Sequence, residues 1–328
     1  MSELHKFLFD GLPVRGMLVR LTDAWTDILA RRAANTQTGA YPAPVRALLG
    51  EMAAAGVLMQ SNIKFNGALV LQVFGDGPVK LAVVEVQSDL SLRATATVLA
   101  PVPDQARLSG MLNVGGGGRC AITLDPKDRL PGQQPYQGVV PLHGDAGEKL
   151  EDVAEVLQHY MLQSEQLDTV LVLAANDQVA AGLLIQRMPL AGEANLAGGT
   201  PTPDEDQIGR NEDYNRIAHL AASLTREELL TLDADTILRR LFWEEKLLRF
   251  EPLQGAQGPR FACTCSRERV RSMLRGLGAA EAEDILAEQG HIEVGCDFCG
   301  QQYRFDAVDA AQIFREAGSQ PPSSSAMQ

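Results

Sequence analysis

Residues 261–306 read FACTCSRERVRSMLRGLGAAEAEDILAEQGHIEVGCDFCGQQYRFD, and they contain four of the five cysteines in this chain of 328 residues. The four form a Cys-x-Cys pair, Cys263 and Cys265, and a Cys-x-x-Cys pair, Cys296 and Cys299. Two close cysteine pairs can bring four thiolates to one tetrahedral ion, and soft sulfur ligands favour zinc. We predict that one Zn²⁺ binds here, although two local disulfides or four unrelated buried thiols would also fit the spacing.

The residues beside the cysteines fit a metal site. Gly300 directly follows the second pair, and a residue without a β-carbon lets the backbone approach a bound sulfur closely. Three arginines follow the first pair, and their charge would offset the four thiolates unless they are simply solvated on a helix surface. They are Arg267, Arg269 and Arg271. Between the pairs, apolar spacing predicts one helix and then a shorter one over residues 281–288.

The cysteine-containing segment is small, so the metal would decide whether it folds. We place this zinc module at residues 256–315, and modules of this size have marginal cores that often depend on a metal or a disulfide. Structural zinc in small modules contributes roughly 10–16 kcal/mol of apparent binding free energy, which becomes folding free energy. We expect the module to unfold when the metal is removed.

The same cysteines offer a route to metal release. Residues two apart lie at most about 7 Å from each other, so Cys263 and Cys265 could bond only in a tight, strained ring. Cys296 and Cys299 can pair more easily, as Cys-x-x-Cys motifs do. Oxidants attack thiolates, so oxidation could convert both pairs to disulfides and eject the metal. Because strained disulfides are readily reduced by cytosolic thiols, this would be a reversible redox switch.

The pattern of apolar residues in residues 1–188 predicts one α+β domain, a two-layer α/β sandwich rich in antiparallel strands. Apolar residues alternate in three neighbouring stretches, residues 69–73, 79–83 and 92–98, which favours hairpins. Apolar residues recur at helical spacing in three other stretches, which predicts three helices. The first stretch follows Thr22, the second begins at Pro44 and the third spans residues 148–163.

Two features of this domain could signal chemistry but have simpler structural explanations. Residues 115–118 are all glycine, yet no Gly-Lys-Ser/Thr follows and the next residues look like a strand, so we expect a flexible hairpin turn and not a phosphate loop. Cys120 alternates with Ile122, which favours a small buried hydrophobe. His159 lies on the polar side of its helix and should be solvated. We find no nucleophile with a base at catalytic spacing and predict no catalytic residue.

Residues 189–255 have a different character. Residues 190–209 are rich in glycine, proline and acidic residues, and this composition predicts a mobile linker. Three amphipathic helices should follow, and Thr225 begins a capping-box pattern for the second. The third should carry an apolar face of Ile237, Leu238, Leu241, Phe242 and Leu248. If these helices rest on both the first domain and the zinc module, unfolding of the module would release them; the alternative is a helix pair that never moves.

The charge of the chain limits its partners. The formal net charge is −13 and the isoelectric point is about 4.9, and an acidic surface repels the phosphates of nucleic acids. No apolar run is long enough for a membrane span, and residues 1–3 do not begin a signal-peptide pattern. Few cysteines in an odd number agree with a reducing compartment. We expect a soluble, cytoplasmic protein with a disordered tail at residues 316–328.

Several stretches together resemble one family. They are LPVRGMLVRL, YMLQSEQLDT, ILRRLFWEE, CTCSRERV and GHIEVGCDFCGQQYRFD. Over residues 7–315 the chain resembles the redox-regulated chaperones of the heat-shock protein 33 family.

The resemblance implies an ATP-independent holdase in the response to oxidative stress, inactive when reduced and zinc-bound. It implies that the four cysteines bind one zinc ion and, on oxidation, form two disulfides between neighbours, Cys263–Cys265 and Cys296–Cys299. Oxidation would also loosen residues 190–250, expose apolar surface to unfolding client proteins and favour homodimers. The candidate client-binding residues are those of the third helix, Ile237, Leu238, Leu241 and Phe242.

Two departures and two rival classes accompany this interpretation. An acidic insertion at residues 196–209 looks longer than the usual linker of the family, and Cys120 lies outside its motif and could form an off-pathway disulfide.

A thiol-disulfide oxidoreductase that uses Cys296 and Cys299 would need this pair at a helix start beside a βαβ unit, whereas it follows the strand-like HIEV. A zinc-ribbon nucleic-acid binder would need a basic face.

Overall fold

The computed structural model describes residues 1–35, 38–129, 132–188 and 211–318, with only the backbone described at 316–318. The predicted mobile linker at 190–209 and most of the predicted disordered tail lie outside the described residues. The chain divides into two compact units, Met1–Ala262 and Cys263–Gln328. In the described part of the chain, no helix is long and apolar enough to cross a lipid bilayer.

The first sheet of the first unit joins the beginning of the chain to strands far along it. Its strands are β1 (Glu3–Phe9), β2 (Val14–Leu21), β8 (Thr169–Ala175), β9 (Ala180–Arg187), β10 (Leu247–Arg249) and β11 (Leu253–Gln254). The order is β10-β1-β2-β9-β8, and β11 also pairs with β1. All of these pairings are antiparallel.

The second sheet is built mainly from consecutive strands. Its strands are β3 (Gly67–Phe74), β4 (Val79–Gln87), β5 (Ser91–Val98), β6 (Arg119–Pro126), β7 (Tyr136–Pro141) and β12 (Arg260–Phe261), in the order β12-β5-β4-β3-β6-β7. Neighbours are antiparallel except β12, which runs parallel to β5. The predicted α+β class and its antiparallel hairpins are confirmed.

A long buried helix packs against both sheets. The helices of this part are α1 (Asp23–Ala33), α2 (Ala43–Asn62), α3 (Leu108–Leu112) and α4 (Val153–Ser164). On α2, Gly50 approaches Ala175 and Ala180 of the first sheet so closely that a β-carbon there would clash, and Gly56 faces Val84 and Val86 of the second sheet. Because α2 contacts both sheets, apolar residues surround it, and the resulting core accounts for its predominantly apolar sequence.

Three further helices cover the other face of the first sheet. They are α5 (Glu212–Ala222), α6 (Arg226–Thr231) and α7 (Ala234–Phe242). Thr225 forms the predicted capping box with Glu228 at the start of α6. With both faces covered, every residue of β9 is buried. We call α5, α6 and α7 the outer helical layer; they belong to the first unit.

Several local predictions need correction. The helix expected at 148–163 begins only at Val153, because Asp152 caps it and the Leu150 amide donates instead to the carbonyl of Leu142, just after β7. Residues 115–118 do not form a hairpin turn: they connect α3 to β6, and the Asp76 carboxylate accepts hydrogen bonds from the amides of Gly115 and Gly117. Leu248 lies on β10 and not on α7.

The second unit is a small module with its own core. It contains α8 (Arg267–Leu277), α9 (Ala279–Gln289), the hairpin β13 (Ile292–Gly295) and β14 (Gln302–Phe305), and α10 (Ala307–Gly318). Where the side chains of this unit are described, few apolar ones are buried: Val270, Leu274, Ala282, Ile292, Phe305, Ala310 and Ile313. So small a core supports only marginal stability by itself.

Candidate metal centre

The four cysteines of the second unit meet at one point. Cys263 and Cys265 lie just before α8, and Cys296 and Cys299 lie in the turn between β13 and β14. The four sulfur atoms all lie within 4.8 Å of one another, with Cys263 Sγ 3.7 Å from Cys296 Sγ and Cys265 Sγ 3.3 Å from Cys299 Sγ. Four sulfurs at about 2.3 Å from a tetrahedral ion would lie roughly 3.8 Å apart, so the donor set fits a metal ion of this kind.

The turn that holds the second pair is fixed by its backbone. The Cys296 amide donates to the Gln301 carbonyl, and the Gly300 amide donates back to the Cys296 carbonyl. Gly300 has a φ of 72°, in the left-handed region where a residue without a β-carbon is unstrained. The turn therefore requires the glycine that directly follows the cysteine pair in the sequence.

The environment of the second pair favours neutral thiols in the absence of a metal. Burial raises the pKa of Cys296 and of Cys299, although backbone amides donate to both sulfurs and act in the opposite direction. The donors are Phe298 and Cys299 for Cys296, and Gln301 for Cys299. A bound cation would reverse this preference, because coordinating sulfurs are deprotonated.

The arginines after the first pair connect parts of the module. Arg267 donates to the Arg304 carbonyl and to Asp309, and its guanidinium lies 4.2 Å from the centre of the Phe305 ring. Arg269 donates to the Thr264 hydroxyl. For Arg267 the structure therefore shows a role in holding β14 and α10 against α8, which the spacing of the arginines did not indicate.

Tyr303 is a site residue that no sequence pattern indicated. Its hydroxyl lies 3.2 Å from Cys265 Sγ, and this hydrogen bond is the main reason that the pKa of Tyr303 rises to about 12. Tyr303 is only four residues beyond Cys299, but its direction depends on the pairing of β14 with β13, which places it opposite Val294.

The other candidate residues lie in the first unit. Cys120 is fully buried on β6, and burial raises the pKa of its thiol to about 12, so it is an unreactive apolar side chain at neutral pH. His159 is half-buried beside Asp145 and is less solvated than predicted. The four candidate client-binding residues are buried where α7 faces the first sheet: Ile237, Leu238, Leu241 and Phe242.

Phe242 shows how tightly α7 is held on the first sheet. Its ring stacks edge-on against Phe9 of β1, with 5.1 Å between ring centroids, and lies 6.1 Å from Phe7. Each such aromatic pair contributes about 0.5–1.5 kcal/mol beyond the area that it buries. The apolar face of α7 is thus covered by the sheet in this state.

Known proteins resemble this chain over nearly its whole length. The family model described as Hsp33 protein matches residues 2–306. The 33 kDa chaperonin of Chromobacterium violaceum is 46% identical over 313 residues, which cover 95% of this chain and 94% of the relative. That of Methylobacillus flagellatus is 43% identical over 314 residues, with the same coverage.

The fold has a counterpart among solved structures. The crystal structure of the 33 kDa chaperonin of Thermotoga maritima matches with a TM-score of 0.70 over 97% of this chain and 99% of its own. At 20% sequence identity, this match shows a shared fold.

Proposed function

The chain belongs to the Hsp33 family of chaperones, and from that premise we propose that it is a redox-regulated holdase that works without ATP. In the reduced protein, Cys263, Cys265, Cys296 and Cys299 would hold one zinc ion and the chaperone would be inactive. Oxidation would form the Cys263–Cys265 and Cys296–Cys299 disulfides, release the metal and unfold the module. Apolar surface would then bind unfolding proteins, and the oxidised chain would form homodimers.

The observation that carries the redox part of the proposal is the convergence of four sulfurs in a module with a small core. When bound, zinc would supply the charge that keeps the sulfurs as thiolates. Each disulfide forms when two thiols lose two electrons and two protons while one molecule of peroxide becomes two molecules of water. A module that loses roughly 10 kcal/mol of metal-derived folding free energy has too small a core to stay folded.

The proposed client surface is the contact between α7 and the first sheet. Its residues on α7 are Ile237, Leu238, Leu241 and Phe242, and they cover Phe7 and Phe9 on β1. Release of α7 would expose both sides of this contact, and large exposed apolar patches bind non-native chains without sequence preference. The net charge of −13 favours solubility of such complexes in the cytoplasm, where we place the protein, and disfavours nucleic acid as a partner.

Chain connectivity offers a path from the module to this surface. Only Ala262 separates Cys263 from β12, a strand of two residues. This strand is held by the ion pair of Arg260 with Asp89 and by Arg31, which lies over the Phe261 ring. The next segments back along the chain are β11 and β10, which have two and three residues. Such short strands at sheet edges detach easily, so unfolding of the module would propagate through them toward α7.

The geometry does not support the oxidoreductase alternative. Cys296 and Cys299 lie in a turn between two strands, whereas a thioredoxin-like pair begins a helix. The curated relatives are named chaperonins, and the family consists of chaperones and not enzymes.

Light scattering from a heat-unfolding test protein tests the proposal. The chain would be added either reduced and zinc-loaded or after treatment with peroxide at mild heat, with a Cys120→Ala variant as the matched control. We expect only the oxidised form to suppress aggregation, and the control to behave in the same way. Equal activity of both forms, or equal failure, would contradict the redox switch.

A further inference from the structure

Cys265, Cys296 and Cys299 receive different hydrogen-bond donors. Cys296 faces the amides of Phe298 and Cys299, and Cys299 faces the amide of Gln301. Cys265 differs, because it receives the side-chain hydroxyl of Tyr303 at 3.2 Å. The backbone donors belong to the turn itself, whereas the hydroxyl can be removed by one substitution.

The Tyr303 hydroxyl is held in place by structure on both sides. Val294 and Tyr303 are paired across β13 and β14, and both pack against the buried core of the module. A hydroxyl positioned by strand register and packing gives a directed hydrogen bond and not a transient contact.

We propose that Tyr303 is a specificity-determining residue for the oxidation of the metal centre, which slows attack by the Cys265 sulfur on peroxides. The inference rests on the proposed zinc centre. A thiolate that attacks peroxide must donate an electron pair, and a hydrogen bond to that thiolate stabilises the negative charge which the attack removes. Oxidation of the Cys263–Cys265 pair is therefore delayed relative to a site that lacks the hydroxyl.

Disulfide formation takes two nucleophilic steps, and Tyr303 controls the first. A thiolate sulfur attacks one oxygen of hydrogen peroxide, the O–O bond breaks, and a sulfenic acid and hydroxide form. The neighbouring thiolate attacks the sulfenic sulfur, the S–O bond breaks, and a disulfide and a second hydroxide form. Two protons from solvent convert the two hydroxides to water. Tyr303 acts on the first attack when Cys265 is the attacking sulfur.

Alkylation of individual cysteines tests the inference in the full-length, reduced and zinc-loaded chain. We would compare the wild type with Tyr303→Phe, which keeps the ring, and with Tyr136→Phe, which removes an exposed hydroxyl from the first unit. Mass spectrometry would follow iodoacetamide labelling of each cysteine, and a colorimetric chelator would follow zinc release by hydrogen peroxide. We expect Cys265 in Tyr303→Phe to react about three- to tenfold faster relative to Cys296 and Cys299, and the control to match the wild type.

Two results would overturn the inference. One is an unchanged ratio of Cys265 to Cys296 labelling. The other is an equal acceleration of all four cysteines, which would mean that the hydroxyl only keeps the module folded. Zinc binding and release by the wild type distinguish failure of the Tyr303 inference from failure of the proposed function. If the wild type binds one zinc ion and releases it on oxidation while the ratio is unchanged, only the role of Tyr303 is lost. If the wild type binds no zinc, both proposals fail.

Discussion

At the scale of single residues, each sulfur of the metal centre should be indispensable for metal binding. We predict that Cys263→Ser lowers zinc affinity by more than about 100-fold, because changes around a metal ligand alone cost about 10–100-fold and here a ligand itself is lost. The reduced variant should contain far less than one zinc per chain by elemental analysis. Cys120→Ala, which removes a thiol from the first unit, should keep full zinc content. Full occupancy in Cys263→Ser would refute its assignment as a ligand.

Cysteine spacing was enough to predict which sulfurs come together, because two close pairs need only a short turn each to converge. It was not enough to predict Tyr303. Its hydroxyl reaches Cys265 only through the pairing of Val294 with Tyr303, and a register of this kind depends on the tertiary structure. The same holds for Arg267, whose partner Asp309 is 42 residues away.

At the scale of elements, two arginines hold the two ends of α6 against the rest of the first unit. Arg226 of α6 donates to the Glu51 carboxylate of α2 at 2.8 Å and to the Ala175 carbonyl. Arg20 of β2 donates to the carbonyls of Leu229 and Leu230 at the other end of α6. Burial raises the pKa of Glu51, while the hydrogen bond and charge of Arg226 oppose that rise. The helix thus offsets the cost of a buried carboxylate.

We predict that Arg226→Gln weakens the docking of the outer helical layer by about 1–2 kcal/mol. Loss of one partner of a buried pair costs more, but the side chain of Arg226 is itself 53% exposed. Hydrogen exchange of the amides in α6 should speed up roughly 5- to 30-fold in the reduced protein. Arg239→Gln on α7 removes the same charge from an exposed position and should have little effect. Equal exchange in both variants would show that the Glu51 contact does not hold α6.

Long elements were predictable from the sequence and short ones were not. The apolar face of α2 and the alternation of β3, β4 and β5 carry a clear period, so their type and approximate bounds were correct. The apolar face of α7 predicted its type, but the helix ends at Phe242, before Leu248. Strands β10, β11 and β12 have two or three residues, too few for any period, and only tertiary pairing defines them. The start of α4 was placed too early because Leu150 is apolar but belongs to the loop before the Asp152 cap.

At the scale of the whole molecule, the two units differ in how they are stabilised. The first has two extensive apolar cores, one around α2 and one beneath the outer helical layer. The second has, among residues 263–315, seven buried apolar residues and the cysteine cluster. Metal removal should therefore affect the two units very differently.

We predict that a zinc chelator under reducing conditions unfolds the second unit and leaves the core of the first intact. Amides of α8 should then exchange at nearly unprotected rates, while those of α2 remain protected, because α2 does not depend on the metal. Restoring zinc should restore protection in α8 and serves as the control for irreversible damage. Persistent protection of α8 after complete chelation would contradict a metal-dependent fold.

The pairing of the first sheet limits how far the outer helical layer can travel. Strand β9 ends at Arg187 beside Val14 of β2, an attachment to the same sheet that does not depend on the short strand β10. A layer released when β10 detaches therefore stays tethered through β9, and its local concentration at its own docking face remains on the order of millimolar. Any client bound to this face of the sheet must therefore compete with the tethered helical layer. Reclosure of the layer is a unimolecular event, so dilution cannot slow it.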